Sequence, residues 1–332
     1  MVQLDLVRAS ISSLVKSRPL VAVFVGGTSG IGEFTIQALA TTHGVDGKGL
    51  RVYIVGRNIS AAVKTIAECY GICPGGEFVF VKANDLSLLG DVDRVCSEII
   101  ELEDKNKADG EVARIDILVM SQHYFPLLFE PRNVSLPFHP DTREGLDESL
   151  SLLYYSRMRF ATQLLPLLLA SPRPAHIISI YAAGKETTLT SSDLSLRDPK
   201  NYTLSNVRSH AFFPGLVMTG GFGDKRLPLW FRVVFWLMRP LLGLVTTPGK
   251  ESGERVLFTA TEEFSARKEG EETRIGTDGV RGSGAYAVGI DGEPMAIGKI
   301  YATLRAEGGK EQVWEHTTGA FREIEAGRKF TG

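Results

Sequence analysis

Six consecutive apolar residues at 20–25 (LVAVFV) run straight into Gly26-Gly27-Thr28-Ser29-Gly30-Ile31-Gly32, and apolar residues of helical spacing follow over 31–41. A short, β-branched run with no polar position reads as a strand buried on both faces. The four glycines in the next seven residues let the backbone turn sharply and approach a neighbour that any side chain would hold off. Where such a turn feeds a helix, the unpaired N–H groups and the dipole of the helix point into it, and a phosphate is the ligand that suits them. A glycine-rich turn that holds nothing is the alternative, and its placement between strand and helix weighs against it.

The alternation repeats. Residues 51–55, 77–82, 115–120 and 176–180 read as further strands, with helices over 60–70 and 88–103 and a long apolar stretch at 146–170. Short apolar strands separated by helices predict an α/β fold, a Rossmann-type doubly wound parallel sheet in a single domain. The chain divides into a lead-in at 1–19, a nucleotide-binding domain at 20–265 and a C-terminal appendage at 266–332. The appendage carries a hairpin turning at Asp291-Gly292 and a last helix over 312–325. With 37 Lys+Arg against 39 Asp+Glu, the formal charge of −2 excludes a strongly basic nucleic-acid binder. Cys69, Cys73 and Cys96 make neither a disulfide framework nor a metal-ligand pattern, and no secretory signal opens the chain. A cytoplasmic protein with reduced, structural thiols and no metal is the expectation.

The glycine spacing, G-x-x-x-G-x-G, resembles that of the short-chain dehydrogenase/reductase family, and the resemblance runs over about residues 20–258, with Val25 where the family usually has threonine. It implies that Gly26, Thr28, Ser29, Gly30, Ile31 and Gly32 cradle the phosphates of a dinucleotide. Strand two ends in Gly56-Arg57-Asn58, with no acid to hold a ribose 2′-hydroxyl. A cation there can pair with a 2′-phosphate, so NADP(H) is favoured over NAD(H), a solvated surface charge being the other role for Arg57. Asp85, in Asn84-Asp85-Leu86, matches the family acid that contacts the adenine amino group; capping the helix that follows is its competing role. Pro214-Gly215-Leu216-Val217-Met218-Thr219 matches the P-G-x-V-x-T turn, in which Thr219 would bond the nicotinamide carboxamide.

The catalytic pattern of the family, serine, tyrosine and lysine, is broken here. A literal Y-x-x-x-K exists at Tyr181-Ala182-Ala183-Gly184-Lys185, but it follows strand five directly, where the family places its serine. Gly184 discourages a helix there, and thirteen residues upstream, where the family needs serine, stands Leu168. By strand position, Ser179 or Tyr181 stands in for the serine. The tyrosine region corresponds to Asn201-Tyr202-Thr203-Leu204-Ser205-Asn206, with Asn206 in the place of lysine. The candidate catalytic residues are therefore Ser179, Tyr181 and Tyr202, and without a lysine Tyr202 would keep a phenol pKa near ~10. Met120-Ser121-Gln122-His123 replaces the family's N-N-A-G, and its helix asparagine falls at about Leu153. His123, His210, Tyr154 and Tyr155 are alternative proton donors, although a lone His or Tyr is more often structural. These departures resemble a divergent fungal branch of the family found in secondary-metabolite pathways, as do Val7-Arg8-Ala9-Ser10, Val207-Arg208-Ser209-His210 and Trp314-Glu315-His316-Thr317.

Residues 185–208 show no apolar stripe to cover a sheet, as if about two dozen residues of the family's catalytic helix were absent, by deletion or by an error in the gene model. That helix forms half of the family's usual dimer contact, which puts a homodimer in doubt. The most apolar stretch, 227–245, is broken by Arg232, Arg239 and Pro240. It reads as a substrate lid within 220–248 or, alternatively, as an interfacial helix with Trp230 and Trp236 at a membrane surface. Either implies a bulky, apolar small-molecule substrate. The expectation is an NADP(H)-dependent oxidoreductase acting on a carbonyl, enone or imine of an apolar natural-product intermediate; the alternative is a non-catalytic nucleotide-binding protein or an inactive remnant.

Overall fold

The computed structural model describes residues 1–107, 110–123, 141–181, 191–195, 197, 217, 219, 229–242, 246–266, 273–295, 302–303 and 305–332. Within them, β1 (Leu20–Val25), β2 (Leu50–Gly56), β3 (Gly76–Lys82), β4 (Ile117–Met120) and β5 (His176–Ser179) form one sheet of order β3-β2-β1-β4-β5. Every pairing is parallel. The order reverses between β1 and β4, so the crevice beyond the carboxyl ends of those two strands is where a doubly wound sheet binds its ligand.

Alternation along β1 builds the two core layers. Leu20, Ala22 and Phe24 face α1 (Leu4–Ser17), α2 (Gly30–His43) and α9 (Gly249–Phe258), and join Ile11, Ile36 and Val256 in one cluster. Val21, Val23 and Val25 face α4 (Leu89–Asn106) and α6 (Ser156–Gln163), and join Val95, Ile99 and Phe160 in the other. The lead-in is part of this core: α1 buries Val7, Ile11 and Val15, one residue per turn. Between β2 and β3 runs α3 (Ile59–Ile72).

The apolar stretch at 146–170 is helical but interrupted. A single turn, α5 (Glu148–Leu150), passes through a π turn (Ser151–Tyr155) into α6, and α7 (Leu165–Leu169) restarts on Pro166. The π turn takes one more residue per hydrogen bond, so it re-aims every side chain after it. A third cluster fastens it to α10 (Gly309–Glu325) through Tyr155, Ala320, Phe321 and Phe330. Among the described residues the expected hairpin shows one bridge, Val288 with Pro294, and the Asp291-Gly292 pair sits inside a wider loop closed by Gly289 N–H donating to the Glu293 carbonyl. Among the described residues no helix is long and apolar enough to cross a membrane.

At the amino end of the sheet, away from the glycine turn, a cleft of about 350 Å³ is lined by Arg18, Asp116, Arg173 and His176. Asp116, fully buried, accepts from Val21 N–H at 2.8 Å and Ser171 Oγ at 2.7 Å and pairs with Arg18. Burial, and then the Arg18 charge, push the His176 pKa down to about 4. The unfolded chain takes up this proton near pH ~6.5, whereas the folded chain refuses it until about pH 4. Stability is therefore intact above that unfolded value and is lost as pH falls through the window, by roughly 2–3 kcal/mol from this group. Urea unfolding at both ends of the window should show a smaller acid loss in His176→Gln than in the wild type; equal losses would sink the assignment.

Candidate active site

The glycine turn is tied down from both sides. Gly26 and Gly27 N–H donate to the Val55 carbonyl of β2 at 3.0 and 3.1 Å. From β4, the Ser121 hydroxyl lies 3.1 Å from both the Val25 and Gly26 carbonyls. Gly26 has φ +84°, and a Cβ there would sit 2.7 Å from Ser121 Oγ and 2.9 Å from Gln122 N. A Cβ on Gly32 would sit 2.5 Å from the Gly26 carbonyl oxygen. These contacts leave room for backbone alone at the start of α2, where the first amides have no partner within the helix. Ser29 precedes the helix in extended geometry, exposed, and its side chain makes no cap bond to those amides.

The other expected cofactor residues divide by direction. Thr28 is buried against Gly56, and Ile31 packs on the core. Val217 is buried and bridges Thr247, which brings Thr219 against Gly30: a Cβ on that glycine, at φ +62°, would lie 3.2 Å from the Thr219 Cβ. Arg57 is exposed at the end of β2, and Asn58 caps α3, accepting from Ala61 N–H at 3.1 Å. Leu86 is buried in the second core layer. Asp85 does not cap α4: its carboxylate accepts from Ser87 N–H and Oγ at 3.0 and 2.7 Å. The cap comes instead from Glu144, which accepts from Leu89 and Gly90 N–H at 2.6 and 3.0 Å. Asp91 holds the segment in place, taking the Asn84 and Asp85 amides at 2.7 and 2.8 Å. Burial alone would raise the Asp91 pKa, but those amides and Arg94 outweigh it and hold it below the usual carboxylate value. Pro214 and Gly215 lie outside the described residues, as do Tyr202, His210 and Lys185.

At the carboxyl ends of β4 and β5 the structure assembles a corner around a residue that sequence reading passed over. Arg157, on α6, is buried and donates from Nη1 to Ser179 Oγ at 2.5 Å and to the Ile180 carbonyl at 3.0 Å. Its Nη2 donates to the Gln122 carbonyl at 2.5 Å, and its guanidinium lies 4.9 Å from the centre of the Tyr181 ring. Among the described residues no carboxylate pairs with it, and burial lowers its pKa to about 10, with Tyr181 opposing the shift. Two positions on, Arg159 pairs with Asp93 and Glu325 instead. Ser121 and Gln122 are adjacent, so the corner connects directly to the phosphate turn. The Gln122 side chain is buried there, and among the described residues neither of its polar atoms has a partner.

Tyr154 and Tyr155 point away from this corner. Their hydroxyls meet Thr317 Oγ1 at 2.6 Å and His316 Nε2 at 2.7 Å on α10, and burial raises both phenol pKa values. The Trp314–Thr317 motif is thus the wall that receives them, and neither is placed as a proton donor. His123 is exposed beyond Ser121. Of the three catalytic candidates, Ser179 and Tyr181 come together on Arg157. The one available signal for that arginine was a charge in the middle of an apolar helical stretch.

No protein-family model matches the sequence. The chain is 36% identical to the short-chain dehydrogenase/reductase SAT2 of Stachybotrys chartarum over 357 aligned positions, 98% of each chain. It is 31% identical to the oxidoreductase AN1596 of Emericella nidulans over 352 positions, 96% of this chain and 97% of that one. Both alignments are longer than the 332 residues present here, so these relatives carry residues for which this chain has no counterpart. Among solved structures, the RhlG/NADP active-site complex of Pseudomonas aeruginosa superposes with a TM-score of 0.49 at 19% identity, over 74% of this chain and 91% of that one. An identity of 36% sustained over nearly the whole chain, on a parallel sheet with this glycine turn, has one meaning: the chain belongs to the short-chain dehydrogenase/reductase family, in a fungal branch of it, and is an oxidoreductase.

Proposed function

We propose that the protein is an NADP(H)-dependent dehydrogenase/reductase that moves hydride to or from a carbonyl, enone or imine of an apolar natural-product intermediate in the fungal cytoplasm. The observation that carries this reading is the pairing of a turn open only to backbone at Gly26, Gly30 and Gly32 with an exposed arginine, and no acid, at the end of β2. The amides at the start of α2 would hold the pyrophosphate, Arg57 the 2′-phosphate, Asp85 the adenine edge and Thr219 the carboxamide. The cofactor, when bound, supplies or accepts the hydride. Ser179 is then the hydroxyl positioned for the substrate oxygen. The exposed apolar side chains of α8 (Leu229–Leu242), among them Trp230, Trp236 and Leu237, support an apolar substrate, with the helix serving as lid or as membrane-surface contact.

Titration with NADPH and NADH tests the cofactor half. NADPH should bind the more tightly, and Arg57→Ala should weaken it roughly 10- to 100-fold, as expected for one charge-assisted contact to phosphate, while NADH is unaffected. Equal affinities for the two cofactors would overturn the assignment. A second reading, nucleotide binding without catalysis, is favoured by the turning-away of Tyr154 and Tyr155. Tight NADPH binding with no oxidation against any carbonyl or imine substrate would establish it.

A further inference from the structure

A buried cation without a counter-ion is expensive to keep, since removing a guanidinium from water costs several kcal/mol unless something compensates it. Among the described residues Arg157 is compensated only by dipoles: the Ser179 hydroxyl, the carbonyls of Gln122, Ile180 and Leu152, and the face of Tyr181. Guanidinium has no acceptor, so the Ser179 oxygen must be the acceptor in their 2.5 Å contact. The serine hydrogen is thereby turned away from Arg157, and among the described residues it has no acceptor of its own. A hydroxyl held in this way keeps its hydrogen free to donate, and the positive charge behind it strengthens the donation.

We propose that Arg157 is a positioning residue of the reaction centre: by holding the Ser179 oxygen it fixes that hydroxyl as a donor to the substrate, and its unbalanced charge makes the site select a neutral carbonyl and reject a preformed iminium. The inference rests on the hydride-transfer reading above and narrows its substrate class. When hydride adds to a carbonyl carbon, the C=O π pair moves onto oxygen. The Ser179 O–H and the cation behind it meet that developing negative charge, the oxygen then takes a proton from water, and an alcohol and NADP⁺ result. An iminium brings a positive charge into the same corner from the start. At a separation near ~6 Å and an effective dielectric near ~20, that repulsion amounts to roughly 100-fold in affinity.

The test uses two probes of one bicyclic skeleton, α-tetralone and the N-methyl-dihydroisoquinolinium cation, titrated by calorimetry into the protein saturated with 1,4,5,6-tetrahydro-NADP, whose nicotinamide ring is uncharged and has no hydride to give. The wild type should bind the ketone at least ~10-fold more tightly than the cation, a cautious fraction of the Coulomb figure. Arg157→Met should bring the two affinities close to parity, Arg157→Lys should retain the preference, and Ser179→Ala should weaken the ketone alone. Should Arg157→Met fail to fold, the lysine and Ser179→Ala variants decide. Equal or tighter binding of the cation by the wild type overturns the proposal, as does failure of both probes to bind or an equal loss for both in Arg157→Met. The hydride reading fails separately: a ketone preference in binding, with no NADPH oxidation by α-tetralone or any other carbonyl or imine substrate, removes the catalysis and leaves the role of Arg157 standing.

Discussion

Gly32→Val is expected to abolish measurable NADPH binding, a loss of at least ~100-fold, while costing the apo protein only about 1–3 kcal/mol of stability, the usual range for overpacking. The two effects separate because of what the side chain would strike. Its Cβ would stand 2.5 Å from the Gly26 carbonyl oxygen and 2.7 Å from Ser121 Oγ, so it pushes on the turn and on the hydroxyl that pins the turn, while the strands beneath are left alone. Opening the turn swings the first amides of α2 away from the pyrophosphate, and a cradle made of backbone donors cannot be restored by a rotamer change. Gly27→Ala is the control. There the nearest atoms are Ile36 Cδ1, Ile54 Cγ2 and Phe24 Cβ, at 2.8, 3.0 and 3.1 Å, so the cost falls on the core beneath the turn and on stability, while the amides of α2 are left in place. Fluorescence titration and thermal unfolding of both variants check this; a Gly32→Val protein that binds NADPH within ~3-fold of the wild type would show that no pyrophosphate lies over these amides, since each such contact is worth more than that.

The strands were legible because each is a continuous apolar run bounded by turn residues, and their observed ends fall within two residues of the expected ones. The glycine turn was legible for the same kind of reason: positive φ and close approach leave a direct mark in composition, as at Gly26 and Gly30. What a side chain faces left no such mark. Tyr154 and Tyr155 lie on a π turn, and the additional residue in that turn directs them to His316 and Thr317, which a 3.6-residue period does not reveal. Arg157 and Arg159 are two residues apart in one helix and look alike in the sequence. Among the described residues Arg159 has two carboxylates and Arg157 has none, and only the tertiary structure distinguishes them. An arginine that orients a serine is not itself an acid at neutral pH, so it carries none of the sequence marks of a proton donor. Of the two roles open to Asp85 in the sequence, the cap is taken by Glu144, which lies 55 residues beyond the Leu89 amide it accepts from.

Gly253→Ala should destabilise the protein although alanine is the better helix former, and Gly253→Val should cost about 3 kcal/mol or more, at the upper end of the overpacking range. Propensity alone favours alanine over glycine in a helix interior by about 1 kcal/mol, so the sign of the effect decides which term wins. Gly253 lies in α9 where that helix crosses α2, and a Cβ there would meet the Phe34 carbonyl oxygen at 2.3 Å, the Phe34 carbonyl carbon at 2.6 Å and the Thr35 nitrogen at 2.9 Å. All three are backbone atoms inside a helix and cannot yield singly, so the two helices must part. Gly249, one turn earlier, is the internal control: its Cβ would meet only the Phe34 ring, at 2.5 Å, and a ring at partial exposure can swing clear. Gly249→Ala should therefore be near neutral while Gly253→Ala is not. Because α2 begins at the phosphate turn, parting it from α9 should also weaken NADPH, and by more in the valine variant than in the alanine one. Urea unfolding with and without NADPH reads both quantities, and a Gly253→Ala protein more stable than the wild type would show that propensity wins and that the helices can separate at little cost.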